Sequence, residues 1–204
     1  MIVIFDRQHY GKPNRPQDLG AAVDLDGDGV IENDEKEANL TPGYYRPAKE
    51  ALERLGHSVY VLEQGYYSAR HRKANRIAEV NPAQRVAYIA CHINAGKGDY
   101  SVMIHDERSR GGKRLADCLA ASFSKNRPSL TGIRRDLVRS ASPTNAWKRG
   151  LSTIKGIYAG PSNISGVCFE PYFIDRQEHQ WLTSYQGGKA IADAIVMGLM
   201  AWDK

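Results

Sequence analysis

Apolar residues recur along this chain in two rhythms. Short runs in which nearly every position is apolar alternate with longer stretches in which apolar residues return every three or four positions. Ile2 to Phe5, Arg85 to Cys91, Tyr100 to His105 and Gly166 to Phe169 are of the first kind, and predict short buried strands. His57 to Leu62 predicts a further strand. Tyr45, Ala48, Leu52 and Leu55 share one helical face, which predicts a helix from about residue 35 to about Leu55. Thr41-Pro42 reads as an N-cap followed by proline at the first helical position, so this helix restarts or kinks there. Gly56 closes it. Ser68 to Glu79, Gly112 to Ser124 and Trp181 to Trp202 predict helices, the last offering Ile191, Ile195, Met197 and Leu199 to the core. Residues 7 to 23 read as Pro/Gly-rich loop. Residues 127 to 153 read as mostly irregular, with a short strand near Ile154 to Tyr158. The alternation predicts a single α/β domain over residues 1–204, an open, twisted, mostly parallel sheet flanked by helices. In such sheets ligands bind beyond the carboxyl ends of the strands.

The length of 204 residues suits one domain with a sizeable core. Net charge is +5, and an acidic loop hides how basic the rest is, with cations gathered in Arg70 to Arg76 and Arg108 to Arg149. A basic face favours polyanionic partners such as an acidic wall or membrane surface. Helix-turn-helix, zinc-finger and RNA-binding signatures are missing, so nucleic acid is not the expected partner. No apolar run is long enough to span a membrane. MIVIFDRQHY has neither a basic n-region nor a long apolar h-region, so synthesis in the cytosol without a signal peptide is expected. Three cysteines, Cys91, Cys118 and Cys168, do not suggest a disulfide framework, and Cys91 and Cys168 read as buried free thiols.

Asp24 to Glu35, DLDGDGVIENDE, has the spacing of an EF-hand calcium loop. Asp24, Asp26, Asp28 and Glu32 fill the side-chain positions, Val30 offers its carbonyl, and Glu35 stands where the bidentate carboxylate belongs. Gly29 occupies the position that needs φ > 0. The sequence therefore predicts a calcium-binding insertion at about residues 24–35.

Three further motifs sit where predicted strands end: Asp6 to Gly11 (DRQHYG), Cys91 to Gly96 (CHINAG) and Cys168 to Asp175 (CFEPYFID). A fourth, Glu35 to Leu40 (EKEANL), opens a helix. Two histidines, a helix-borne carboxylate and a separate glutamate could converge on one crevice. That set matches a catalytic zinc with an open position for water and a glutamate base. His57, His71, His105 and His179 are expected to be ordinary surface or core residues. Tyr66, Tyr67 and Trp147 could line a groove but equally could pack.

These contexts resemble the zinc-dependent N-acetylmuramoyl-L-alanine amidases of the amidase-3 type. In that family a strand ends in D-P-G-H-G-G, a helix opens with E-K-D-x-N-L, a central strand ends in S-I-H-x-N-A, and a late strand carries L-x-E-x-G-F-I. RHRKAN at Arg70 to Asn75 and KAIADAIVMGLMAW in the final helix are also similar, so the resemblance covers essentially the whole chain. Gln8 and Tyr10 stand where the family has glycines, and the calcium loop replaces a short loop. The resemblance implies a phosphorylase/hydrolase-like fold, His9 and His92 as zinc ligands, and Glu170 as the catalytic carboxylate. The third ligand is Glu35 by its letters or Glu37 by distance to the helix end. Glu35 already fills the last calcium position, and Glu37 shares the sheet-facing side of the helix with Tyr45, Ala48 and Leu52, which favours Glu37 for zinc and Glu35 for calcium. Asn94 either braces its turn or supports the His92 ring.

The expected activity is hydrolysis of the amide between N-acetylmuramic acid and L-alanine in peptidoglycan, by a monomeric, phage-endolysin-like enzyme that reaches the wall after release. Calcium is expected to be structural or regulatory. Two other classes fit parts of the pattern: a zinc peptidase on the same fold, and a calcium-dependent wall-binding protein without catalysis.

Overall fold

The computed structural model describes all residues, Met1–Lys204. Six strands form one sheet: β1 (Ile2–Arg7), β2 (Ser58–Leu62), β3 (Val86–Cys91), β4 (Tyr100–Asp106), β5 (Arg135–Ala141) and β6 (Ile164–Glu170). Their order across the sheet is β2-β1-β3-β6-β4-β5. β2, β1, β3 and β6 are mutually parallel, β4 runs antiparallel to β6, and β5 is parallel to β4. The mostly parallel α/β sheet expected from the sequence is the one found.

Side chains alternate between the faces of each strand, so each central strand feeds two cores. Val3, Phe5, Ala87, Ile89, Val167 and Phe169 face one side. They pack against α2 (Pro42–Arg54), α4 (Arg110–Lys125) and α7 (Tyr185–Asp203). Ile2, Ile4, Val86, Tyr88, Ala90 and Cys168 face the other side. There the cover is α3 (Tyr67–Glu79) with the short α5 (Lys148–Ser152) and α6 (Lys155–Tyr158). Burial on both faces explains why β1, β3 and β6 are apolar at nearly every position.

The helix after the acidic loop is broken, as expected, into α1 (Glu37–Leu40) and α2, with Thr41-Pro42 between them. Gly56 ends α2 at φ 83°, a conformation that suits glycine. Three elements differ from expectation. Residues 154–158 are not a strand: Ile154 and Ile157, three apart, are both buried in the turn that opens α6. Residues 127–153 contain β5, an edge strand whose Arg135, Asp136 and Arg139 hide its period. The last helix starts at Tyr185 rather than Trp181. Gln177–Thr183 is a 3-10 segment, and the Ser184 hydroxyl caps the helix by accepting from Gly187 N at 3.1 Å. Cys91 and Cys168 are buried and, like Cys118, free. No helix is long and apolar enough to cross a membrane.

Candidate functional site

The three chemistry-bearing motifs leave adjacent parallel strands at the same end of the sheet. His9 follows β1, His92 follows β3, and Glu170 is the last residue of β6. This is the carboxyl-end crevice that open α/β sheets use. Glu37, the first residue of α1, enters it from the side. Ligand atoms of His9, Glu37 and His92 all lie within 4.8 Å of one another. Glu37 Oε1 is 2.7 Å from His92 Nδ1, and Glu37 Oε2 is 3.8 Å from His9 Nε2. Glu170, Asn94, Cys168 and Tyr67 line the same cavity, of about 380 Å³.

The Glu37 carboxylate is held by backbone. Glu37 Oε1 also accepts from Ile93 N at 3.0 Å, and Oε2 from Ala21 N at 2.8 Å. Gly20, at φ 83°, lies so close to the Glu37 carboxylate that a Cβ there would collide with it. Asn94 N donates to Tyr172 O and Ile174 N donates to Asn94 O, which laces the loop after β3 to the loop after β6. The Asn94 side chain accepts from Ala95 N at 2.8 Å, so it braces its own turn. The Asp175 carboxylate accepts from Gly96 N at 2.8 Å and Lys97 N at 3.0 Å, a second tie between those loops.

His9 adopts a left-handed backbone at φ 60°, a conformation that costs free energy in a residue with a Cβ. Arg70, fully buried, holds its loop. The guanidinium donates to the carbonyls of Arg7 (2.5 Å) and Tyr10, to Gly65 O (2.9 Å) and Glu63 O (3.2 Å), and pairs with Asp6 Oδ1 at 2.6 Å. Asp6 also accepts from Tyr88 Oη and Gln8 Nε2. Gln8, one departure from the resembling family, is thus part of the loop's support. The other, Tyr10, lies 3.6 Å under the Arg7 guanidinium. Asp18 Oδ1 is 3.1 Å from His9 Nδ1 and orients that ring.

Electrostatics set the groups apart. Burial raises the Glu170 carboxyl above its ordinary value despite the attraction of His92. Burial also opposes ionisation of Glu37, but its hydrogen bond and charge interaction with His92 win and hold it low. His92 is raised correspondingly, against its own burial. His9 is lowered, chiefly by burial. Two imidazoles and one ionised carboxylate around a cavity are the donor chemistry of a catalytic zinc with an open position. His92 Nε2 is buried without a hydrogen-bond partner, which buried polar atoms rarely tolerate. The residues present therefore fit such an ion.

The acidic loop brings its carboxylates together in two overlapping groups. Asp24, Asp26 and Glu35 have ligand atoms within 4.8 Å of one another, and so do Asp26, Asp28 and Glu32. Asp24 accepts from Gly27 N and Gly29 N, Asp26 from Asp28 N, and Asp28 from Val30 N. The Glu35 side chain accepts from Leu25 N and, at 2.9 Å, from Glu32 N. Its close neighbour Glu32 is raised by the Glu35 carboxylate. Four acids and Glu35 around one exposed loop are an oxygen donor set suited to calcium. Residues 21–23 and 35–37 clasp the loop's base: Ala22 bridges Lys36, and Glu37 N donates to Ala21 O at 2.8 Å.

Sequence reasoning missed Arg70 and Asp18 as supports of His9. Arg70 was visible only as part of a basic segment, and nothing in the Pro/Gly-rich loop singled out Asp18. It also gave Asp175 no role.

No family model matches the chain, and no curated protein sequence matches it. Solved structures do. N-acetylmuramoyl-L-alanine amidase AmiC2 of Nostoc punctiforme superposes with a TM-score of 0.67 at 18% identity, covering 99% of this chain and 96% of that one. The CwlD amidase from Clostridioides difficile, solved in complex with the GerS lipoprotein, gives 0.66 at 17% identity, with 98% and 97% covered. The catalytic domain of the CD27L endolysin, described as targeting Clostridia difficile, gives 0.53 at 17% identity, with 98% and 97% covered. At these identities the likeness establishes a shared fold.

Proposed function

We propose that this chain is a zinc-dependent N-acetylmuramoyl-L-alanine amidase that digests peptidoglycan. The observation that carries this reading is the meeting of His9, Glu37 and His92 beside Glu170 at the carboxyl ends of β1, β3 and β6. The fold shared along nearly its whole length with AmiC2, named an N-acetylmuramoyl-L-alanine amidase, and with the CwlD amidase supports it. An ion bound by His9, Glu37 and His92 would polarise the scissile carbonyl and lower the pKa of its water toward ~7. Glu170 supplies the proton transfers. Its carboxylate accepts the proton of the attacking water, and the same oxygen returns that proton to the nitrogen of L-alanine as the amide breaks. Burial, which raises Glu170, suits it to holding that proton between the two steps. Asp18 and Arg70 hold His9 in place, and Asp175 keeps the loop of His92 beside the loop that follows Glu170.

Asp24, Asp26, Asp28, Val30, Glu32 and Glu35 are read as a calcium loop. Its base is the clasp of residues 21–23 with 35–37, so ordering the loop also fixes the start of α1 and the Glu37 carboxylate. A calcium affinity in the range of sensor loops, about 10⁻⁷ to 10⁻⁵ M, would then leave the loop empty and the enzyme quiet in a calcium-poor cytosol, and active outside it. This suits an endolysin that acts on the wall after release, as a monomer.

Mass spectrometry of peptidoglycan digested by the protein tests the reading. Free muramic lactyl groups and new L-alanine amino termini are expected. Cleavage elsewhere in the stem peptide would replace the amidase with a peptidase, and intact peptidoglycan bound by the protein would replace it with a wall-binding module.

A further inference from the structure

A trough of about 470 Å³ between α3 and the α5–α6 turn adjoins the catalytic cavity, and Tyr67 and Ser152 line both spaces. The trough's walls carry Arg72, from α3, and Lys155, from α6. Arg149, from α5, stands on the wall of the catalytic cavity. All three side chains are exposed. None of them takes part in an ion pair, although the structure holds many others. The trough itself contains no acidic residue. A groove that adjoins the catalytic cavity and presents cations with no ion-pair partner is complementary to an anionic extended ligand.

We propose that this trough binds the acidic peptide side of the substrate, with Arg72 and Lys155 receiving its carboxylates. The inference rests on the amidase reading, in which a muramoyl group and a peptide leave the scissile amide in opposite directions. The stem peptide carries free carboxylates and the glycan near the bond is neutral, so a trough walled by Arg72 and Lys155 suits the peptide. His71 Nε2 contacts Thr153 O at 2.7 Å, and Asn75 Nδ2 donates to Gly156 O at 2.9 Å, which locks α3 to the α5–α6 turn. Gly156 leaves room for this approach, since a Cβ there would strike the His71 ring. The two elements that carry Arg72 and Lys155 are thereby tied together across the trough.

The probes are two peptides, L-Ala-γ-D-Glu-L-Lys and the same peptide with its glutamate α-carboxylate amidated, together with the corresponding muramyl tripeptides. Calorimetry with the full protein is expected to show the acid peptide binding about tenfold more tightly than the amide, the scale of two partly exposed charge contacts. In Arg72→Ala/Lys155→Ala this ratio falls to near one. In Arg72→Lys/Lys155→Arg it is kept. For hydrolysis the same preference lies in KM, with kcat changed less than about twofold. Equal binding of acid and amide by the wild type, or a ratio undiminished in the alanine variant, overturns the proposal. Equal loss of both peptides in that variant also overturns it, because the trough would then recognise something other than charge. Selective binding of the acid peptide without hydrolysis of either muramyl substrate keeps the trough's assignment and sinks the amidase reading instead.

Discussion

Glu35 and Glu37 stand two residues apart and their carboxylates serve different places. Glu35 closes the acidic loop on the N–H groups of Leu25 and Glu32. Glu37 reaches across 55 residues of sequence to His92 Nδ1 at 2.7 Å. The turn between the 3-10 segment Asn33–Glu35 and α1, at Lys36 with ψ 140°, sends the two side chains apart. The letters of the EKEANL motif leave the proposed zinc ligand open between them, and the backbone direction sends the Glu37 carboxylate, not that of Glu35, to the histidines.

Substitutions at these two sites should therefore be distinguishable. Glu37→Gln is expected to weaken zinc binding on the order of a hundredfold or more, since even the loss of a supporting partner costs 10–100-fold. Glu35→Gln is expected to weaken calcium binding and leave zinc affinity in saturating calcium within a few-fold. Metal content after dialysis against graded chelator measures both. A zinc defect in Glu35→Gln larger than that of Glu37→Gln would reverse the assignment.

Glu170→Gln should retain zinc and the fold but lose turnover by on the order of 10³-fold, the usual contribution of a positioned acid–base group. Steady-state hydrolysis and metal analysis of one preparation measure this. Retained turnover would remove Glu170 from the proton pathway.

Much of this architecture was legible in the sequence because of where burial falls. β1, β3 and β6 are apolar on both faces, so their runs stood out, and His9, His92 and Glu170 follow or end them. β5 was not legible, because a strand at the sheet's edge is half solvated and its arginines are paired with neighbours on the surface, Arg135 with Asp99 at 3.0 Å. The turn at Ile154 and Ile157 differs from the expected strand, since two β-branched residues three apart fit a helical turn as well as a short run. The supports of His9 depend on contacts between segments distant in sequence. Arg70 is 64 residues from Asp6, and no local pattern encodes such a pairing.

The Arg70 clamp predicts a large stability effect. Arg70→Met would strand the Asp6 carboxylate, which is fully buried and which burial already pushes up in pKa against the attraction of Arg70. Breaking a buried pair by removing one partner costs about 3–5 kcal/mol. Urea unfolding should show a loss of this size, and adding Asp6→Asn should recover part of it. Additive losses in the double variant would argue that the pair is not coupled.

A second ion pair predicts a pH dependence. The Asp106 carboxylate is buried, which alone would raise it, yet it is held below its ordinary value by Arg108. That guanidinium donates at 2.7 and 2.9 Å and the Arg108 N–H at 3.0 Å. A carboxyl depressed on folding stabilises above its unfolded pKa, and the effect disappears as pH falls through the lower folded value. Asp106→Asn should therefore cost about 1 kcal/mol near neutrality, a modest figure because Arg108 is more than half exposed and water screens it. The difference between wild type and variant should vanish progressively below pH 3.8. A difference constant down to pH 2 would contradict this.

The most direct test is hydrolysis of purified peptidoglycan by metal-free protein, with zinc and calcium returned singly and together. No release of L-alanine amino termini is expected without zinc, release is expected with zinc, and a further rise when calcium is added. Hydrolysis undiminished in the metal-free protein, or none under any metal condition, would contradict the assignment of His9, Glu37 and His92 as a zinc centre.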